Sequence, residues 1–181
     1  MMKASQLVAF AAAAALSFGQ SKSATPPPMI IVATHGSGAA MNLTLTNVSG
    51  RAISASVVLV TFRTPKGSQV QAVDLEDSSL LPQATPLAPG AQTTGAVSIP
   101  TQLGAELVID QTQVDYVLFT DGSSWGPDTA HLSLQIKGMR AGWARAYSHL
   151  NATLKRQGKD AVTEEIQSYV ASKRTLAKAT P

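Results

Sequence analysis

The metal chemistry open to this 181-residue chain depends mainly on its histidines, because it has three of them and no cysteine. His131 and His149 are 18 residues apart, which separates them by about 27 Å on one helix at a rise of about 1.5 Å per residue. Two ligands of one metal ion cannot lie so far apart. His35 opens a Gly-rich run, 35–38, that lacks the preceding strand and following helix of a phosphate-binding loop. We therefore predict no metal site and no cofactor.

Acidic side chains form two groups that could do chemistry. Asp74, Glu76 and Asp77 could act as paired carboxylates in glycoside hydrolysis, although a solvated acidic loop accounts for the same pattern. Asp121 and Asp128 bracket a segment with roughly calcium-like spacing of oxygen ligands, but the acidic residue that closes an EF-hand loop is missing. An Asp-Gly turn explains this second group. Because no nucleophile stands with a base, we expect no catalytic residues, and a hydrolase is the least favoured function.

Trp125 and Asp121 are the candidate contacts for a ligand or partner. An indole on a loop at the mouth of a β-sandwich can stack on a sugar or a peptide. The alternative is that Trp125 fills the joint between a sheet and a helix, as general burial preferences favour.

Short strands must position these residues, because apolar runs alternate with Gly/Pro turns along the first two thirds of the chain. Residues 41–46 alternate apolar and polar side chains at the period of a half-buried strand. Turn-forming residues occupy 47–50 and 64–67, and the acidic, Pro-interrupted segment 74–88 indicates a long connection. Seven or eight short strands at this spacing predict a mainly β fold, an antiparallel β-sandwich over residues 29–125.

Amphipathic helices are predicted in the C-terminal segment, residues 126–181. Asp128 is suited to cap the first helix, Gly158 to end it, and Asp160 to cap a second. The first helix carries one apolar stripe at steps of three and four residues, made of Leu132, Ile136, Met139, Trp143, Tyr147, Leu150 and Leu154.

Two strands, those that contain Val57 and Tyr116, have apolar side chains on both faces. In a simple alternation Ile53 shares a face with Val57, and Val114 shares a face with Tyr116. A sandwich buries one face of each sheet, so the second apolar face must be covered. We therefore predict that the apolar stripe of the C-terminal helix packs on one sheet.

A succession of short motifs in the β-rich segment is typical of one domain family. The turn 47–50, Asn-Val-Ser-Gly, precedes an apolar strand that ends at the aromatic Phe62, then a turn with Gly67, then Leu-Ala-Pro-Gly at 87–90. Over about residues 40–100 this succession resembles the small bacterial immunoglobulin-like domains of the FxLYD type. The resemblance implies an exported accessory or binding domain and supplies no catalytic residues.

The N-terminus indicates export. Residues 1–3 carry positive charge, and residues 7–18 form an Ala-rich apolar stretch that is shorter than the roughly 20 residues of a membrane-spanning helix. We predict a signal peptide at 1–19, with cleavage after Ala24 as the alternative, an extended linker at 20–28 and no transmembrane span after cleavage. Without cysteine there is no lipid-modified N-terminus. The expected location is secreted or periplasmic.

Charge is divided between two segments of the chain. Residues 25–128 contain three basic and eight acidic residues, a net charge of −5, whereas residues 129–181 contain nine basic and three acidic residues, a net charge of +6. Attraction between helix and sandwich is one use of this division, and binding of a polyanion is the other. The residues that would contact a polyanion, unless they form only a solvated face, are Lys155, Arg156, Lys159, Lys173, Arg174 and Lys178.

The function expected from these patterns is that of an exported, non-enzymatic binding or envelope accessory module with a protein or glycan partner. The recognising surface would be the loop end near Trp125 or an uncovered sheet. The alternative is binding of an anionic or membrane surface by the basic C-terminal helices. No motif specific for nucleic acid is present.

Overall fold

The computed structural model describes residues 26–35, 40–80, 83–98 and 107–179. The predicted signal peptide, most of the predicted linker and the Gly-rich run after His35 lie outside these residues. The elements in chain order are β1 (Met29–His35), β2 (Ala40–Asn47), β3 (Ile53–Arg63), β4 (Gln69–Asp77), a 3-10 helix (Ser78–Leu80), β5 (Gln92–Ser98), β6 (Val108–Phe119), β7 (Ser124–Trp125), α1 (Leu132–Gln157) and α2 (Lys159–Ala179).

The strands form two antiparallel sheets, ordered β1-β2-β5 and β4-β3-β6-β7. In β2 every second side chain, from Met41 through Leu43 to Leu45, is buried, as the period-two pattern predicted. These side chains meet Val58, Val60 and Phe62 of β3 in one hydrophobic cluster, here called the inner cluster. The fold is therefore mainly β with two C-terminal helices, as the sequence predicted.

The strand boundaries differ from the prediction in two places. Residues 108–119 form one strand of 12 residues, β6, which is longer than the short strands that the sequence predicted. β4 continues to Asp77 and is followed by the 3-10 helix, so the predicted connection 74–88 begins later than expected. β6 remains paired with β3 along its length. Shifts in register at three places accommodate the extra residues that one strand or the other contains there.

β-bulges place Ile53 and Val114 on the face opposite to the predicted one. Val57 pairs with Tyr116 but Val58 pairs with Val114, so Asp115 is an extra residue in β6. Val114 consequently joins the inner cluster, and a second bulge near the start of β3 does the same for Ile53. The simple alternation is wrong at these positions because each extra residue shifts the side-chain phase by one.

The other face of the four-stranded sheet carries a second hydrophobic cluster, here called the outer cluster. Its buried members are Ala55, Val57, Tyr116, Leu118 and Ile136, with Val73, Leu75 and Leu132 packed against them. Ile136, at the start of the second turn of α1, is completely buried. The start of the helix thus covers the second apolar face, as the two-sided strands predicted.

The chain divides into two compact units. The first, here called the β unit, ends at Ile136, and the second, the helical unit, starts at Lys137. Residues 126–136 belong to the β unit because the loop after β7 and the start of α1 pack with the strands.

The loop between β7 and α1 is attached to the sheet by Asp115, whose side chain is fully buried. The backbone N–H of Thr129 donates to Oδ1 at 2.9 Å, and that of Ala130 donates to Oδ2 at 3.0 Å. The Thr129 hydroxyl donates to Oδ1 as well. The backbone N–H of Asp128 donates to the Asp115 carbonyl at 3.0 Å. The bulge residue of β6 therefore positions the chain just before the helix.

The N-terminus of α1 lies later than predicted. Asp128 is not the N-cap, because residues 128–131 form a turn in which the His131 N–H donates to the Asp128 carbonyl at 2.9 Å. The helix begins at Leu132. The Asp128 carboxylate nevertheless accepts the N–H of Ser133 at 3.1 Å, and so satisfies one of the free donors of the first turn.

Gly158 ends α1, as the sequence predicted. Its φ of +87 is left-handed, and its N–H donates to the Leu154 carbonyl at 3.0 Å, which is the αL form of helix C-cap. α2 starts at the next residue, Lys159, so Asp160 lies inside its first turn rather than at the N-cap. A carboxylate there is favourable to the helix dipole.

Asn47 joins the turn after β2 to the segment before β5. Its Nδ2 donates to the carbonyls of Arg51 and Leu87, each at 2.8 Å, and its Oδ1 accepts the N–H of Ser49 at 2.9 Å. Its backbone carbonyl accepts the N–H of Gly90 at 2.8 Å. A side chain with no solvent exposure thus has partners for both donor and acceptor.

Asn47→Ala should lower the free energy of unfolding by about 2–4 kcal/mol, because buried carbonyls lose their donor. Asn47→Asp should cost at least as much, since a carboxylate oxygen would face the carbonyls of Arg51 and Leu87. Urea unfolding followed by circular dichroism measures both. Asn42→Ala, at an exposed position of β2, is the control and should change the free energy by less than about 0.5 kcal/mol. Equal effects at Asn42 and Asn47 would contradict the assignment.

A matched pair of glycine variants tests the junction at Asp115. Gly122 has a φ of +84 and open space where a Cβ would lie, so Gly122→Ala should cost only the conformational strain, about 1 kcal/mol. Gly126 has a φ of +113, and a Cβ there would lie 2.3 Å from the Asp115 carbonyl oxygen. Gly126→Ala should cost at least about 3 kcal/mol. Thermal unfolding of both variants measures the difference, and similar costs would rule out the close approach.

Candidate functional site

The β6–β7 turn holds Asp121, one of the two predicted ligand contacts, by internal hydrogen bonds. Its Oδ1 accepts the N–H and the hydroxyl of Ser123, and its Oδ2 lies 3.5 Å from Nη1 of Arg51. Gly122 supplies the positive φ of +84 that this turn requires. Both carboxylate oxygens therefore have partners within the β unit.

Arg51 completes this arrangement from the turn between β2 and β3. Its guanidinium carbon lies 3.6 Å from the centroid of the Phe119 ring, a cation–π contact. Its Nη1 also donates to the Ser123 hydroxyl at 2.7 Å. The charged groups at this end of the β unit bind one another, and these contacts account for the presence of a carboxylate at position 121 without any ligand.

Trp125, the other predicted ligand contact, is half-buried and packs against the inner cluster. Its Nε1 is buried and has no hydrogen-bond partner among the residues that the structure describes. The indole therefore contributes to the core at the end of β7. Trp125 packs in the inner cluster and not in the outer cluster, where the start of α1 meets the sheet. The ring has only part of its surface available for stacking.

The three neighbouring carboxylates of β4 serve the β unit itself. Asp77 Oδ1 accepts the N–H of Ser79 at 2.9 Å and its hydroxyl at 2.7 Å, which starts the 3-10 helix. Asp74 and Glu76 lie against β5, where a Cβ at Gly95 would be 2.9 Å from Asp74 Oδ2 and 3.6 Å from Glu76 Oε1. β4 and β5 are edge strands of the described sheets, and inward-pointing charges there oppose pairing with another chain. Burial of Asp74 and Asp77 leaves little of either carboxylate accessible to a sugar.

The histidines occupy separate places. His131 is exposed and precedes α1 with a φ of +54, whereas His149 lies in α1 with its Nε2 2.5 Å from Glu165 Oε1 of α2. His35 ends β1. Within residues 26–35, 40–80, 83–98 and 107–179, no three His, Asp or Glu side chains converge to hold a metal ion.

The helical unit exposes large apolar side chains. The predicted burial of the apolar stripe holds for Leu132 and Ile136 but is wrong for three others, because Trp143 is 59% exposed, Tyr147 72% and Leu154 48%. The outer cluster offers a small apolar area, which Leu132 and Ile136 at the start of α1 already complete. In α2, Ile166, Tyr169 and Val170 are exposed in the same way.

The basic residues predicted to contact a polyanion are all in the two helices. Lys155 and Arg156 lie in the last turn of α1 and Lys159 starts α2, so the three fall on either side of Gly158. All three are exposed. Among the described residues none of the three forms an ion pair, although Arg156 Nε donates to the Ala152 carbonyl at 3.3 Å. Lys173, Arg174 and Lys178 lie in the last turns of α2, and their side chains lie outside the described part of the chain.

Sequence reasoning did not identify the exposed stripe as a candidate surface, since it assigned Trp143 and Tyr147 to the cover of a sheet. Their residue types were the available signal, because Trp and Tyr are common in binding surfaces and at membrane interfaces. Of the helices in the described part of the chain, neither α1 nor α2 is apolar enough over its length to cross a membrane.

The β6–β7 turn predicts a pH effect. Hydrogen bonds from the Ser123 hydroxyl and N–H, with a smaller effect of Arg51, hold the pKa of Asp121 below its ordinary value of 3.8. A carboxylate with a lowered pKa stabilises the fold above its unfolded pKa, and that contribution is lost as the pH falls through the folded value. Carbon-13 NMR titration should give a midpoint for Asp121 below 3.8.

Ser123→Ala removes the hydroxyl donor and keeps the N–H donor, so it should raise the pKa of Asp121 toward the ordinary value. Ser124→Ala, at an exposed neighbouring position, should leave the midpoint in place. An unchanged midpoint in Ser123→Ala would contradict the assigned cause.

The geometry of the described residues gives two surfaces to compare. At the loop end of the β unit, Asp121 has internal partners and Trp125 belongs largely to the core. On the helical unit, aromatic and basic side chains are exposed. Comparison with protein families, curated proteins and solved structures found no match to this chain.

Proposed function

We propose that this protein is an exported, non-enzymatic binding or envelope accessory module that contacts its partner through the exposed apolar and basic face of the helical unit. In this proposal the β unit is an immunoglobulin-like sandwich that serves as the scaffold. The expected location, secreted or periplasmic, follows from the leader-like residues 1–19.

The strand order supports the immunoglobulin-like part of the proposal. When the seven strands are lettered A, B, C, C′, E, F and G in chain order, the sheets are A-B-E and C′-C-F-G. Immunoglobulin-like sandwiches divide strands A, B, E and C, F, G between their sheets in this way. Asn47 also connects two motifs on which the FxLYD resemblance depends, the turn 47–50 and the segment 87–90.

The observation that carries the proposal is the exposure of Trp143 and Tyr147 on α1, with Tyr169 exposed on α2. Exposed aromatic side chains that are grouped on one unit indicate a surface that binds something. The residues first expected to contact a ligand, Trp125 and Asp121, have structural roles that account for them. Binding by the helical unit is therefore better supported than binding by the loop end.

A second candidate, binding of a soluble polyanion, is favoured by the cations around Gly158. Lys155, Arg156 and Lys159 are exposed within five positions of one another. Their placement in the last turn of α1 also suits the helix dipole, which explains Lys155 and Arg156 without a partner. A polyanion would bind with an affinity that falls steeply as salt is raised.

Co-sedimentation with envelope membranes from the producing cells tests the proposal. The chain from Gln20, the expected mature form, should sediment with the membranes, and the double variant Trp143→Ala, Tyr147→Ala should lose at least about tenfold in affinity. Leu134→Ala is the matched control, because Leu134 is equally exposed but lies on the opposite side of α1. It should bind within about twofold of the unmodified chain. Equal binding by all three proteins would disprove the role of this face.

A further inference from the structure

The exposed apolar side chains of α1 lie on one face of the helical unit. Trp143, Tyr147, Leu150 and Leu154 follow at steps of four, three and four residues, which keeps them in line along the helix. Trp143, Tyr147 and Leu154 are exposed, and Leu150 is half-buried. We refer to these four residues as the α1 stripe.

The residue types of the α1 stripe suit a boundary between water and lipid. Trp and Tyr have an apolar ring and one polar group, and they are enriched where a protein meets the headgroup layer of a membrane. Helices that lie in this layer carry such residues on one face and Lys or Arg on the other. Neither helix of the described chain can cross a membrane, and a helix that lies flat in the headgroup layer has no need to.

Basic side chains border the α1 stripe. Lys137 and Lys155 are 18 residues apart, which is five turns at about 3.6 residues per turn, so they lie on one line along the helix. Both are exposed. Arg140 precedes Trp143 by three residues and lies between this line and the stripe.

The net charge of the helical unit indicates which kind of partner binds the α1 stripe. Residues 137–181 contain nine basic and three acidic residues, a net charge of +6. Among the acids, Glu165 is already paired with His149. Two helical units face to face would bring equal positive charges together, whereas an anionic lipid surface attracts each unit.

From this combination we infer that the helical unit binds an anionic lipid surface, with the α1 stripe inserted at the level of the headgroups and the basic side chains in contact with lipid phosphates. The inference rests on the proposed function and names the chemistry of its partner. Apolar burial of Trp143 and Tyr147 supplies one part of the affinity and charge supplies the other, so each can be removed separately.

The test uses protein-free vesicles of phosphatidylcholine with and without phosphatidylglycerol. The chain from Gln20 carries Trp125→Phe, so that Trp143 is the single fluorescent indole, and circular dichroism verifies that this variant is folded. Vesicles with phosphatidylglycerol should shift the Trp143 emission to shorter wavelength and protect it from aqueous quenchers. Vesicles of phosphatidylcholine alone should bind at least about tenfold more weakly.

Variants on the same background separate the two contributions. Tyr147→Ala and the triple variant Lys155→Gln, Arg156→Gln, Lys159→Gln should each weaken binding at least about tenfold. The triple variant lowers the net charge of the helical unit from +6 to +3, so its binding should depend less steeply on salt than that of the parent. The matched controls are Leu134→Ala on the opposite side of α1 and Lys66→Gln in the β3–β4 turn, both exposed. They should bind within about twofold of the parent.

The outcomes distinguish this inference from the proposed function. If envelope membranes bind the chain but protein-free anionic vesicles do not, the lipid partner is wrong and the proposed function stands. If neither binds, both are wrong. If the chain without lipid forms a dimer in light scattering that Tyr147→Ala dissociates, the stripe is occupied by a second copy and the inference is overturned.

Discussion

The buried carboxylate of Asp115 is the contact on which the arrangement of the β unit and the start of α1 depends. A carboxylate without solvent exposure is costly unless donors surround it, and here two backbone N–H groups and one hydroxyl do so. Those donors belong to Thr129 and Ala130, which lie three and two residues before the first residue of α1. The same residue is the extra one in the β6 bulge, so a single insertion both turns Val114 inward and attaches the loop. Gly126 permits this close approach because it has no Cβ.

The start of α1 completes the β unit as a consequence. With residues 128–131 held in a turn, Leu132 and Ile136 reach the outer cluster and cover Val57 and Tyr116. This contact buries the second apolar face of the sheet and uses very few residues of the helix to do so. The remaining apolar side chains of the helix are therefore not required by the strands, and Trp143 and Tyr147 are exposed. Large apolar side chains that are exposed together on a surface are typical of an interaction site.

Polar groups elsewhere in the β unit also have internal partners. Asn47 holds two turns together, Arg51 pairs with Asp121, and Asp77 starts the 3-10 helix. Sites that sequence reasoning selected by residue type, such as Asp121 and Asp77, have structural roles for this reason. A turn needs Asp, Asn, Ser and Gly for its own hydrogen bonds and positive φ values, and these are also the residue types that bind ligands. Residue type alone cannot separate the two uses.

The sequence by itself determined the class of fold, because alternation with period two and spacing of three to four residues are local properties of the chain. The strand 41–46, the C-cap at Gly158 and the need to cover a second apolar face could all be predicted in this way. Only the tertiary structure decided the face on which Val114 lies, the role of Asp115 and the exposure of Trp143. A bulge changes the phase of a strand by one residue without a sequence signal of its own. Likewise, an apolar stripe on a helix shows that its burial would be favourable. It does not show which surface of the protein could bury the stripe, or how large that surface is.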